Sequence, residues 1–164
     1  MTVSVPKYTV PAKVRLMSRP LTAEFERVVR EVGEFSVHVG DTMRQNPADA
    51  ARFIKQCVEA TPLLFQKWNL EILYLLGLSP TLRFSKLKEM LAGISSRTLS
   101  LKLADLEEKG LLSRTVHNER PLRVDYSLTS DGRTAARLSV PLVMYLNLRL
   151  GMNLDGNGAE KVTA

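Results

Sequence analysis

Apolar residues recur at intervals of three and four along most of this chain and switch to intervals of two in one stretch after Gly110. The first spacing is that of one face of an α-helix, the second that of one face of a strand. Phe25, Val28, Val29, Val32, Phe35 and Val39 form a first helical stripe, with Thr22 as N-cap, Glu24 at the positive end of the helix dipole and Gly40 as a stop. Asn46 and Pro47 read as a cap and a first helical position, supported by Asp49. Ala50, Phe53, Ile54, Cys57 and Val58 make the second stripe. Thr61 and Pro62 repeat the cap-plus-proline signal. The segment they open, with Leu63, Leu64, Trp68, Ile72, Leu75 and Leu76, is apolar on most faces and predicts the central buried helix.

Beyond it, Ser85 caps a short helix with Leu87, Met90 and Leu91, and Gly93 and Ile94 make a tight connection. Ser95 caps the next helix, whose Leu99, Leu103 and Leu106 face inward and which ends at Gly110. Leu112, Arg114 and Val116, and then Arg123 to Leu128, read as two strands; the turn between them spans His117 to Leu122 and contains Asn118, Glu119 and Pro121. Thr129 caps a last helix with Ala135, Leu138, Leu142, Tyr145 and Leu146, which Pro141 is expected to kink or split. Helix, glycine turn, helix and hairpin make a winged helix-turn-helix. The fold class expected is mainly α (α+β), with a small antiparallel β-hairpin wing, extra N-terminal helices and a C-terminal dimerisation helix. The boundaries are a basic extended arm over 1–20, an N-terminal helical dimerisation element over 21–60, the winged domain over 61–132, the dimerisation helix over 133–150 and a flexible tail over 151–164. The arm holds Pro6, Pro11 and Pro20 with Lys7, Lys13, Arg15 and Arg19 and no acid; a disordered tail fits that composition equally well.

Composition narrows the chemistry. The chain has 164 residues, a net charge of +6 and one cysteine. That length closes a core without metal or disulfide. The positive balance favours an anionic partner such as nucleic acid. A single cysteine forms no internal disulfide and points to a reducing, cytoplasmic compartment. No apolar run reaches the length of a membrane span, and the N-terminus lacks the apolar centre of a secretory signal. There is no Cys/His cluster at metal spacing, no glycine-rich phosphate loop, and no recognisable Ser, His and acid arrangement. No metal, no cofactor and no enzymatic activity are therefore expected.

The candidate site follows from the buried leucines. With Leu99, Leu103 and Leu106 inward, Ser96, Arg97, Ser100 and Leu101 lie on the outward, N-terminal part of the second helix. Its free backbone N–H groups and dipole there attract phosphate. Arg97 suits bidentate recognition of guanine, Ser95, Ser96 and Ser100 suit bases or phosphates, Leu101 a thymine methyl and Lys102 a phosphate. Arg114, His117, Arg120 and Arg123 surround the hairpin tip, and Arg83, Lys86 and Lys88 flank the first helix of the pair. Cys57, on the stripe with Phe53, Ile54 and Val58, reads first as a small buried hydrophobe.

The segment from Trp68 to Gly132 resembles the HxlR family of winged-helix regulators within the MarR-like group. The residues that carry the resemblance are Lys67-Trp68, Arg83-Phe84-Ser85-Lys86-Leu87, Gly93-Ile94-Ser95, Leu99, Leu103, Leu106-Glu107, Gly110-Leu111 with Arg114, and Pro121, Val124, Tyr126, Leu128-Thr129 and Gly132. The resemblance implies double-stranded DNA binding by a homodimer whose N- and C-terminal helices pair. It also implies a second role for Cys57, that of an oxidant sensor, since some such proteins carry a sensing cysteine shortly before the Lys-Trp segment. No other oxidant or small-molecule effector is indicated. The family commonly has polar or basic residues where Leu101 and Ala104 stand here, and two prolines in the wing where only Pro121 remains.

The function expected is a sequence-specific, homodimeric transcriptional regulator. Two alternatives stay open: a winged-helix protein-interaction module using the apolar N-terminal helices, and a sequence-nonspecific architectural DNA binder using the basic arm. The N-terminal helices either pair with a second subunit or fold back on their own domain.

Overall fold

A computed structural model describes residues 19–118 and 123–150, and the side chains from 22 onward within the first of these. Residues 1–18 of the basic arm expected over 1–20, the wing tip at 119–122 with Arg120, and the tail over 151–164 lie outside the described residues; Arg19 and Pro20, expected to be extended, are helical.

Among the described residues, six helices and three strands follow in order: α1 (Arg19–Arg44), α2 (Pro47–Phe65), α3 (Asn69–Leu78), β1 (Leu82–Arg83), α4 (Phe84–Met90), α5 (Ser96–Glu108), β2 (Leu112–His117), β3 (Arg123–Leu128) and α6 (Ser130–Arg149). The sheet is antiparallel, in the order β1-β3-β2. The chain divides into two compact units, one of Met1–Ile54 with Ser139–Ala164, the other of Lys55–Leu138.

Within Lys55–Leu138 the core is built by Ile72, Leu73 and Leu76 of α3, Leu87 of α4, Leu99, Leu103 and Leu106 of α5, and Leu112, Tyr126 and Leu128 of the sheet. Each fully buried aliphatic side chain stabilises by roughly 1.5–3 kcal/mol before chain entropy is counted. Leu112 opposite Leu128 and Arg114 opposite Tyr126 set the β2–β3 register, so Leu112, Val124, Tyr126 and Leu128 share the core side of the hairpin, while Arg114 and Val116 on that side of β2 are exposed. Thr129 locks the return of the chain: its Oγ1 donates to the Gly110 carbonyl at 2.6 Å and accepts from the Gly132 amide at 3.0 Å. It is thus the N-cap of α6. A side chain at Gly132 would place its Cβ 2.0 Å from the Leu111 carbonyl oxygen.

In the other unit, Phe25 and Leu148 are the buried hydrophobic side chains among the described residues. Val32 and Phe35 of α1, Phe53 and Ile54 of α2, and Val140, Leu142 and Leu146 of α6 are exposed. Val29, Val32, Gly33, Ser36, Pro141, Leu142 and Tyr145 line an apolar groove of about 270 Å³.

Several expectations are corrected. Gly40 does not end α1, which starts before Thr22 and runs to Arg44, because a glycine inside a helix costs only about 1 kcal/mol. Thr61 and Pro62 do not open a new helix. They lie inside α2, where Thr61 Oγ1 donates to the Cys57 carbonyl at 2.8 Å. The break falls instead at Gln66–Trp68, where Trp68 takes a left-handed φ of 79°, and Asn69 Nδ2 donates to the Leu63 carbonyl at 2.9 Å, holding the end of α2. Ser85 is not the cap of α4, which begins at Phe84. Pro141 does not split α6, which continues through it. The placement of Cys57 in the core is also overturned: the residue is exposed, and α2 has no buried residue for its stripe to pack with. β1, only two residues long, had no sequence signal.

Candidate nucleic-acid interface

The local chemistry of α5 dictates what it presents. Ser95 adopts extended backbone and its Oγ accepts the Thr98 amide at 3.0 Å, which starts the helix cleanly. Leu99, Leu103 and Leu106 are buried, so the helix cannot rotate. Ser95, Ser96, Arg97 and Ser100 are therefore exposed, together with Leu101 at 62% exposure. The amides of Ser96 and Arg97 have no intrahelical acceptor and point out of the helix start. Arg97 is exposed, and among the described residues its side chain has no hydrogen-bond or ion-pair partner.

The remaining candidates divide into tethered and open groups. Lys102 is half-buried, and its Nζ donates to Gln66 Oε1 at 2.7 Å, across to the α2–α3 junction. Lys86 bonds Glu89 one turn on at 2.9 Å. Arg114 is exposed on β2. Arg83, His117 and Arg123 converge on the buried carboxylate of Asp125, with His117 Nε2 at 3.0 Å, Arg123 Nη2 at 2.7 Å and Arg83 Nε at 3.8 Å. The hydrogen bond from Arg123 holds the Asp125 carboxyl below the usual carboxylate range; burial opposes this, and the positive charge of Arg123 and the hydrogen bond from His117 reinforce it. The structure thus gathers Ser95, Ser96, Arg97, Ser100 and Leu101 on one helix end, and Arg83, His117 and Arg123 on one sheet face. Arg120 lies outside the described residues.

Sequence reasoning missed Asp125 and Gln66. Asp125 had one signal, an acid inside an otherwise apolar and basic strand. Gln66 had none, since its partner is 36 residues away. No group of His, Cys, Asp and Glu among the described residues is placed to hold a metal, and no described helix is long and apolar enough to cross a membrane.

The profile of the HxlR-like helix-turn-helix family matches residues 63–147. The chain is 39% identical over 72 residues to the HTH-type transcriptional regulator YdzF of Bacillus subtilis, covering 44% of this chain and 66% of that one. It is 30% identical over 111 residues to the HTH-type transcriptional regulator YtfH of Escherichia coli, covering 66% of this chain and 87% of that one. With YdzF and the regulator BH0655 of Halalkalibacterium halodurans, the match spans slightly less than two thirds of the relative's length. Among solved structures, the reduced form of the transcriptional regulator YodB from B. subtilis superimposes with a TM-score of 0.52 at 27% identity, covering 56% of this chain and 89% of that chain. The matched region takes in α3, α4, α5 and the hairpin, and the chain belongs to the HxlR-like helix-turn-helix family of transcriptional regulators.

Proposed function

We propose that the chain binds double-stranded DNA as a homodimer in the cytoplasm and regulates transcription. In this reading α5 enters the major groove, Arg97 reads a guanine edge, Leu101 lies on a thymine methyl, and Ser95, Ser96 and Ser100 bond bases or phosphates. Arg83, Lys86, Lys102, Arg114, His117, Arg120 and Arg123 face the phosphate backbone, which gives affinity but not sequence. The observation that carries the reading is the exposed N-terminal half of α5, with an untethered arginine and an outward leucine on a helix pinned by three buried leucines. The exposed apolar side chains of α1, of α2 and of α6 after Ser139 support a second subunit as their cover.

Selection of bound sequences from random duplex DNA tests this, followed by gel shifts across a salt series. The expected result is a two-fold site with half-sites about one helical turn apart and affinity that falls steeply with salt. Arg97→Ala should cost about 1–3 kcal/mol and relax one base preference. Absence of duplex affinity at low salt overturns the reading. The same exposed apolar faces favour a protein-interaction module as the second reading, and that outcome would support it if the chain were also monomeric.

A further inference from the structure

Three basic side chains from three different strands end on one acid. Arg83 of β1 pairs directly with Asp125 of β3, while His117 of β2 pairs with Arg123 of β3. Residues two apart on a strand share a face, so this register puts all four side chains on the same side of the sheet. Asp125 is 5% exposed, yet the basic side chains around it still reach solvent. Arg123 is held most firmly: its Nε lies 3.1 and 3.0 Å from the two carboxylate oxygens and its Nη2 lies 2.7 Å from Oδ2. The three basic side chains all remain partly exposed, so each can present its polar end to an anion outside the sheet.

We propose that Asp125 is a positioning residue for DNA recognition, holding Arg83, His117 and Arg123 in one fixed arrangement so that they meet the phosphate backbone already ordered. The inference rests on the DNA-binding reading above and adds to it a residue that touches no DNA. A free arginine loses rotamer freedom when it contacts a phosphate, which weakens the complex; a tethered one lost that freedom when the protein folded. A tethered set also fits one spacing of phosphates. The gain therefore falls on the correctly docked complex rather than on sliding, sequence-independent contacts. Arg97, with no tether, lacks this advantage.

The test uses the full chain as wild type, Asp125→Asn and Asp125→Glu, with a selected duplex and a scrambled duplex of equal length at one salt concentration. Asp125→Asn removes a negative charge, so affinity for either duplex alone is not diagnostic; their ratio is. The expected result is a loss of about tenfold in that ratio for Asp125→Asn, with most of it recovered in Asp125→Glu. A ratio within about twofold of wild type, or an equal loss in both variants, overturns the proposal. Should Asp125→Asn fail to fold, nitrogen-15 spectra of the wild type decide. The Arg123 Nε–H should exchange with solvent about tenfold more slowly than that of Arg97, and equal exchange overturns the proposal. Wild-type protein that binds no duplex ends the DNA-binding reading itself, an outcome visible before any variant is made.

Discussion

The two units handle their apolar side chains in opposite ways. In Lys55–Leu138, leucines from three helices and the sheet close on one another, and Leu87, Leu99 and Leu106 have no exposed surface. In the unit of Met1–Ile54 and Ser139–Ala164, Phe35 is 67% exposed, and Val32, Ile54 and Leu142 also face water. The hydrophobic periodicity in the two is similar; its satisfaction is not. Apolar area left in water costs about 25 cal/mol per Å² relative to burial. The difference teaches that the winged unit closes its own core, while the long helices leave apolar side chains in water that the proposed second subunit would cover.

The largest effect that sharpens this comparison is in the complete unit. Leu103→Ala should cost about 2–5 kcal/mol in urea denaturation, because Leu103 is 1% exposed and the site has little room to collapse. A loss under about 1 kcal/mol would mean that the winged core is not closed. Next is the open unit. Phe35→Asp should raise the dimer dissociation constant about tenfold or more in sedimentation experiments, equivalent to about 1.4 kcal/mol. An unchanged dimer would break the comparison, since the exposed face would then serve something other than self-association. The smallest effect is a slope. Because the folded-state pKa of Asp125 is lowered, its contribution to stability is present above the unfolded carboxylate pKa and is lost as pH falls through the folded one. Wild-type stability should therefore fall on acidification below the usual carboxylate range more than that of Asp125→Asn, as thermal melts across pH would show.

Much of the winged unit was legible because its signals are local. Ser95 with Leu99, Leu103, Leu106 and Gly110 writes a capped helix with one buried face within sixteen positions, and the change of period at Leu112 writes the hairpin. What was illegible depends on distance or on absent neighbours. Thr61-Pro62 looks like a helix start, but proline at that point is tolerated inside α2, and the real break is made by the backbone of Trp68. Cys57 sits on a stripe that reads as core, yet α2 buries none of its residues. The basic residues of the hairpin were found individually; that Arg83, His117 and Arg123 share Asp125 needs a strand register which two-residue β1 could not announce.

Position 132 sets a boundary on how this protein can change. Main-chain atoms of Leu111 occupy the space that any β-carbon there would need, so the helix that follows departs from the hairpin along a path fixed by backbone alone. Divergence among descendants of this chain can freely rewrite the outward letters of α5, and with them, on the proposed reading, the DNA sequence preferred. The launching point of α6 is closed to such variation, and new specificities should evolve on an unchanged frame.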